Sequence, residues 1–337
     1  MLGMLRQYLR RGWRGLWQGR LYPLLLPHCR VTDQGLAILS RPPQMMPSSL
    51  CQALRHCDGT RSLSKICSQT GIQRRDLLAL RRQQALVLWP RPVAADMAQP
   101  RDVRHIIISP HPDDALLCLG GMMLQQPPGS TLVIDVFTQT AWTRFPTELN
   151  DVQQIAAVRR SEERCVLRLC GAALCDAQLP EALLRDHLYA NVFTDPPAPW
   201  DQEVMAGLTP LMSLAARWPA ATWYLPLSVG NHLDHRIVRD TATTALRQQG
   251  LDPRQLRYYE DLPYAVSLPG IPDFAAAMPG QRLAPQHIDI RRAIRWKVEA
   301  ARVYWSQFAN DELYRLEEYA QRIGHGRAVE RVWRIGA

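Results

Sequence analysis

The chain has 337 residues, 47% of them hydrophobic and 21% charged, an ordinary globular composition with room for one large domain and a small one. Its net charge of +9 comes almost wholly from arginine, since Lys65 and Lys297 are the only lysines; this balance suits an anionic small molecule, and with no recognition motif beside it no nucleic-acid partner is expected. No apolar run reaches the roughly 18 residues of a membrane span, and eight cysteines without a Cys-x-x-Cys spacing read as reduced thiols of a cytoplasmic protein.

Residues 1–20 place Leu5, Leu9, Trp13 and Leu16 at helical spacing beside Arg6, Arg10, Arg11 and Arg14. This predicts a basic amphipathic helix that packs on its own protein, or alternatively on a partner or an anionic membrane surface. Residues 21–91 then form a separate unit. Val31 to Leu39 predicts a hairpin turning at Asp33-Gln-Gly35, and Ser48–His56, Ser62–Ser68 and Arg74–Gln84 predict three helices. Ala85-Leu-Val-Leu-Trp89 closes the unit with a strand. A hairpin with three helices is a winged-helix-like layout. The Cys57-Asp-Gly-Thr-Arg-Ser-Leu63 turn resembles the PqqD-like domains that bind leader peptides, which implies a peptide or carrier partner. The alternative is a small packing domain. Residues 92–102, overlapping the proline-flanked stretch Pro90 to Pro100, read as a linker.

The richest stretch follows. Ile106, Ile107 and Ile108 predict a strand buried on both faces, as in a parallel sheet. Pro110 and Pro112 end it, so His111, Asp113 and Asp114 project from its carboxyl end, where open α/β sheets bind ligands. Leu116 to Met123 predict a helix packed back on the sheet, with Gly120-Gly121 permitting close approach. Thr131 to Phe137 reads as the next strand, and its exit carries Trp142 and Arg144, substrate contacts or loop residues. Asp151 to Leu169 predicts a helix. Thr222-Trp-Tyr-Leu-Pro-Leu227 then repeats the strand pattern and leads to Asn231-His-Leu-Asp-His235 and a helix from Arg236. Two such loops meet if their strands are neighbours. Two histidines and a carboxylate, with a fourth position for water, make a catalytic zinc arrangement. A spare carboxylate and a spare histidine remain as base and acid.

Ser109-Pro-His-Pro-Asp-Asp-Ala-Leu-Leu-Cys-Leu-Gly-Gly121 with Asn231-His-Leu-Asp-His-Arg236 resembles the PIG-L/LmbE-like deacetylases, metal-dependent hydrolases of N-acylated sugars and related amides. The resemblance covers residues 103–337 and includes Arg159-Arg-Ser-Glu-Glu-Arg164, Tyr258-Tyr-Glu-Asp-Leu-Pro-Tyr264 and Tyr304-Trp-Ser-Gln307. It implies a Rossmann-like α/β domain with a mostly parallel sheet and a small-molecule N-acyl substrate, free or attached to a carrier. By position it makes His111, Asp114 and His235 ligands of Zn2+, with Fe2+ the second choice. Asp113 becomes the general base, His232 a protonated partner that stabilises the oxyanion or protonates the leaving amine, and Asp234 the group that orients an imidazole. Arg160 and Glu162 face the site by the same resemblance; an ordinary charged helix face is the alternative. The chain departs from the family at Ala115, where many relatives carry an acid, and at Gly230, where some carry a tyrosine. Any extra oxyanion donor must therefore come from elsewhere. The rival reading from another class is a peptide- or carrier-binding protein of natural-product biosynthesis, with the hydrolase domain as scaffold.

Overall fold

The computed structural model describes residues 20–39, 41–146, 148–267, 278, 280–310 and 312–335. The basic helix expected over residues 1–20 thus falls almost entirely outside the described residues. The fold divides into two compact units, 1–93 and 94–337.

In the first unit β1 (Tyr22–Leu25) pairs antiparallel with β5 (Leu86–Trp89). Strands β2 (Cys29–Val31), β3 (Gly35–Ile38) and β4 (Gln44–Met45) form a separate antiparallel sheet. The turn between β2 and β3 falls where Asp33-Gln-Gly35 predicts it, closed by the Thr32 N–H donating to the Gly35 carbonyl at 2.8 Å. Three helices follow the predicted ranges: α1 (Ser48–Arg55), α2 (Leu63–Thr70) and α3 (Arg74–Arg82). Ser62 caps α2 by accepting from the Lys65 N–H, and Gly71 ends it at φ 73°. Leu36, Leu54, Ile66, Leu77 and Trp89 close the core at 1% exposure or less.

The second unit carries a seven-stranded sheet in the order β11-β12-β10-β9-β6-β7-β8. Its parallel part is β10 (Leu256–Tyr259), β9 (Thr222–Pro226), β6 (His105–Ser109), β7 (Thr131–Gln139) and β8 (Ala173–Pro180). Strands β12 (Val329–Ile335) and β11 (Leu283–Asp289) add an antiparallel edge. Mostly parallel strands with Ile106, Ile107 and Ile108 wholly buried bear out the expected α/β layering.

The adjacency of β6 and β9 is what positions the site. Chain order runs outward from β6 to β7 and β8 on one side, then returns to β9 and β10 on the other. The carboxyl ends of β6 and β9 flank the crevice at that reversal. From them start α4 (Asp114–Met123) and α8 (Leu233–Gln248). A Cβ on Gly121 would stand 2.5 Å from Ile290, so glycine there lets α4 approach the segment before α10 (Ile294–Ala301). Between β7 and β8 lies α5 (Val152–Cys170), capped by Asp151 and ended by Gly171 at φ 74°. No described helix is long and apolar enough to cross a membrane.

Candidate active site

His111 leaves β6 with its N–H donating to Asp114 Oδ2 at 2.9 Å, which ties the loop to the first residue of α4. A carboxylate at that position also meets the positive end of the helix. Asp113, between them, sits at φ 118°, ψ −37°, outside the basins of an L-residue. Strain of this kind persists where surrounding structure over-determines it, commonly at working sites. After β9, Ser228, Gly230 and Asn231 also take positive φ, and His232 caps α8 with its Nδ1 accepting the Asp234 N–H at 3.2 Å. His235 therefore sits in the helix's first turn and points back toward β6.

His111, Asp114 and His235 each offer a ligand atom, all within 4.8 Å of one another. Asp114 Oδ2 stands 3.4 Å from His111 Nδ1 and 3.4 Å from His235 Nε2. Ligand atoms around a tetrahedral zinc with bonds of 2.0–2.3 Å stand about 3.4 Å apart, so the spacing fits the ion. His235 Nε2 is buried without a hydrogen-bond partner, an orphan that a metal would satisfy. Both imidazoles are held from behind by carboxylates: His235 Nδ1 by Asp261 Oδ1 at 2.6 Å, His111 Nε2 by Asp234 Oδ2 at 2.9 Å. Such partners set the tautomer and turn the other nitrogen to the metal. His111, His232 and Asp234 also lie within 4.8 Å, but Asp234 already receives Arg185 Nη2 at 2.7 Å and the Ala182 N–H at 3.0 Å. Beside that guanidinium a second cation is disfavoured, and Asp234 serves as the orienting carboxylate.

Protonation follows the same logic. Burial opposes a charge on His111, yet hydrogen bonds to Asp114 and Asp234 outweigh it and push His111 up to about 10. The cluster thus demands positive charge, which a divalent ion supplies in place of protons. Burial pushes Asp113 up to about 7, against the pull of Arg159, whose Nη2 stands 3.2 Å from its carboxylate. That is the range of an effective general base. Burial, then the neighbouring imidazoles His111 and His235, push His232 down to about 3. These surroundings disfavour the charged ring that the family resemblance implies for His232. With Nδ1 accepting, its proton resides on Nε2.

Other expected residues divide. Glu162 is fully buried and accepts from the Ser306 N–H at 2.9 Å and hydroxyl at 2.6 Å, so it anchors the 304–307 segment. Arg160 lies half-buried in a groove with Ser161, Arg164, Asp176 and Gln178. Its neighbour Arg159 reaches the site, holding Asp113, the Pro112 carbonyl and the Thr140 hydroxyl. Trp142 and Arg144 lie beyond the carboxyl end of β7. The Trp142 N–H donates to Glu181 at 3.1 Å, and the Arg144 N–H to the Ser306 carbonyl at 3.0 Å. The Arg144 guanidinium lies over Phe145, 4.7 Å from its centroid, with Nη1 buried and unpartnered. Neither residue contacts the His111–Asp114–His235 cluster among the described hydrogen bonds. Asp261, Arg159 and Arg185 were not singled out by the sequence. A Cβ on Gly230 would stand 2.7 Å from the Tyr264 Cβ, so the tyrosine that relatives carry at Gly230 has its space taken by Tyr264, whose ring lies 6.1 Å from His232 and 5.6 Å from His235.

The fold and the crevice chemistry define a deacetylase-type hydrolase. The comparisons agree. A family model described as PIG-L, GlcNAc-PI de-N-acetylase, matches residues 106–246. The 2'-N-acetylparomamine deacetylase of Streptomyces fradiae is 31% identical over 220 residues, spanning 63% of this chain and 76% of that protein. Among solved structures, a deacetylase of the teicoplanin biosynthesis pathway superposes with TM-score 0.55 at 24% identity, over 69% of this chain and 98% of its own. The A40926 pseudoaglycone deacetylase gives 0.53 at 23%, over 70% and 100%. The chain belongs to the PIG-L deacetylase family.

Proposed function

We propose that the chain is a zinc-dependent N-deacetylase that removes an acetyl group from an N-acetylated amino sugar within a biosynthetic pathway. The observation that carries this reading is the unpartnered, buried His235 Nε2 standing 3.4 Å from Asp114, with Asp113 beside it at a base's pKa. Relatives named as deacetylases of 2'-N-acetylparomamine and of the antimicrobial A40926 pseudoaglycone support the substrate class. A teicoplanin deacetylase has been solved in a zinc inhibited form, a property of that protein; iron(II) is the second choice for the resident metal here.

A zinc ion held by His111, Asp114 and His235 would supply Lewis-acid polarisation of the acyl oxygen and a more acidic water. The chain's own groups do the rest. Asp113, kept in place by Arg159, takes a proton from the attacking water as its oxygen bonds to the acyl carbon. His232 Nε2–H donates to the oxyanion that develops, a contact strongest in the transition state. As the C–N bond breaks, the proton on Asp113 passes to the leaving nitrogen, giving acetate and a free amine. The net charge of +9 supports an anionic substrate, and eight cysteines without a Cys-x-x-Cys spacing support a reducing compartment, the cytoplasm.

The first unit is proposed, as a separate matter, to be a PqqD-like, winged-helix-like module that takes an extended peptide or carrier along β2. That strand is the edge of its three-stranded sheet. Acetate release from a panel of N-acetyl amino sugars by the zinc-loaded protein tests the activity. Metal-dependent release from at least one supports the reading, and no release from any, with zinc bound, opposes it.

A further inference from the structure

The two histidine arms of the site are backed unequally. Behind His235, Asp261 is closed off at once by the Val229 N–H, 2.7 Å away. Behind His111 the chain of charges runs on. Asp234 is gripped by Arg185 Nη2, and Arg185 Nε meets Asp201 Oδ1 at 2.7 Å. Asp201 Oδ2 takes the Ala198 N–H at 2.7 Å and faces His187 Nε2 at 3.2 Å. Arg185 also donates Nη1 to the Pro180 carbonyl at 2.6 Å. Asp234 and Asp201 are wholly buried, and Arg185 and His187 are exposed by only 6% and 7%. Arg185, His187 and Ala198 all come from the segment 181–200 between β8 and α6 (Asp201–Leu208).

Resting on the metal reading above, we propose that Arg185 and Asp201 are positioning residues for the metal ligand His111. By this linkage the bound metal and the 181–201 segment stabilise one another. Arg185 occupies Oδ1 of Asp234, so that Oδ2 is directed to His111 Nε2. This fixes the tautomer that leaves Nδ1 for the metal. One guanidinium between two buried carboxylates leaves a net negative charge on this arm, which the metal complex offsets. Two sites coupled through one network influence each other equally. Anything that loosens the segment weakens metal binding, and the metal in turn quiets the segment. Among the described residues the His235 arm has no such extension, so the coupling is assigned to His111.

The test compares the full chain with Arg185→Gln, Arg185→Lys, Asp201→Asn and, as the contrasting arm, Asp261→Asn. Zinc affinity is read by chelator competition, and ligand geometry by the visible spectrum of the Co(II)-loaded protein. Hydrogen exchange over residues 181–201 is followed with and without zinc. Arg185→Gln and Asp201→Asn are expected to weaken zinc by about 10–100-fold, the usual size for an outer hydrogen-bonding partner. They should also alter the Co(II) bands, with Arg185→Lys recovering part of the affinity. Zinc should slow exchange across 181–201 in the wild type and much less in Arg185→Gln. Asp261→Asn should weaken zinc yet leave the effect of residual bound zinc on the segment intact. Wild-type affinity and Co(II) bands in both Arg185→Gln and Asp201→Asn would overturn the proposal and leave these residues a purely structural role. If Arg185→Gln does not fold, Asp201→Asn decides alone, since it keeps the Arg185–Asp234 pair. A wild-type chain that binds no zinc would instead break the metal reading itself.

Discussion

The first unit and the crevice of the second bury polar groups in opposite ways. In the first, few polar side chains are buried among the described residues, Arg81 and Gln84 beside His28, whose Nε2 meets the Gln84 carbonyl at 2.8 Å and which burial pushes down to about 4. The residue is thereby kept neutral, the usual solution for a buried titratable group. In the second, His111, Asp113, Asp114, Arg159, Arg185, Asp201, Asp234, His235 and Asp261 are all buried at the carboxyl end of one sheet. Ionised groups out of water are costly even when paired. A fold carries so many only where their charges are used, and here they surround three atoms spaced for a metal.

The contrast breaks most sharply at the ligands. His111→Ala or His235→Ala should strip the metal and abolish hydrolysis, because two remaining ligands hold an ion poorly. Elemental analysis of the purified variants reads this directly. Asp113→Asn should keep the metal and slow turnover by roughly 10²–10⁴; a rate near wild type would remove Asp113 from the base's role. Arg159→Gln sharpens the same point. The guanidinium opposes the rise that burial imposes on Asp113, so its loss should move the acidic limb of the rate profile to higher pH. A limb shifted the other way would contradict the pairing.

In the first unit the expected effect is smaller and of the opposite character. The folded-state value of His28, about 4, lies below its unfolded value of 6.5, so the unfolded chain binds the extra proton first. The stabilisation is complete above pH 6.5 and is lost as pH falls toward 4, by roughly 3 kcal/mol at most. Protection factors over residues 22–89, taken relative to the intrinsic exchange rate at each pH, should fall between pH 7 and pH 4.5, and His28→Gln should flatten that dependence. Unchanged protection across this range would mean that His28 is not the group that titrates.

Most of the crevice was legible because its parts lie in two short runs, each a strand followed by its loop. The apolar Ile106–Ile108 run and the Thr222–Leu227 run announce buried strands, and their loops carry the proposed ligands within a few residues of each strand's end. What escaped was whatever the tertiary fold contributes. Asp261 and Arg185 arrive from segments with no periodic or motif signal of their own, although Asp261 lies within the Tyr258–Tyr264 stretch that carries family resemblance. Arg159 and Arg160 are adjacent on a helix and point about 100° apart; sequence spacing alone did not set the phase, and the structure turns Arg159 inward. Glu162 was placed at the site by resemblance alone; its partner Ser306, 144 residues away, has no signal in the sequence. His232 resembles a charged catalytic histidine in the motif, and it is burial first, then its neighbours His111 and His235, that disfavour its charge, none of which the motif shows.

In the proposed reaction, metal holding and proton transfer are divided between the adjacent carboxylates Asp114 and Asp113. The direct measurement is zinc content beside acetate release, in the same preparations, for the wild type, Asp113→Asn and Asp114→Asn. The account predicts stoichiometric zinc with little acetate for Asp113→Asn, and neither zinc nor acetate for Asp114→Asn. Zinc retained by Asp114→Asn and lost from Asp113→Asn would reverse the assignment and contradict it.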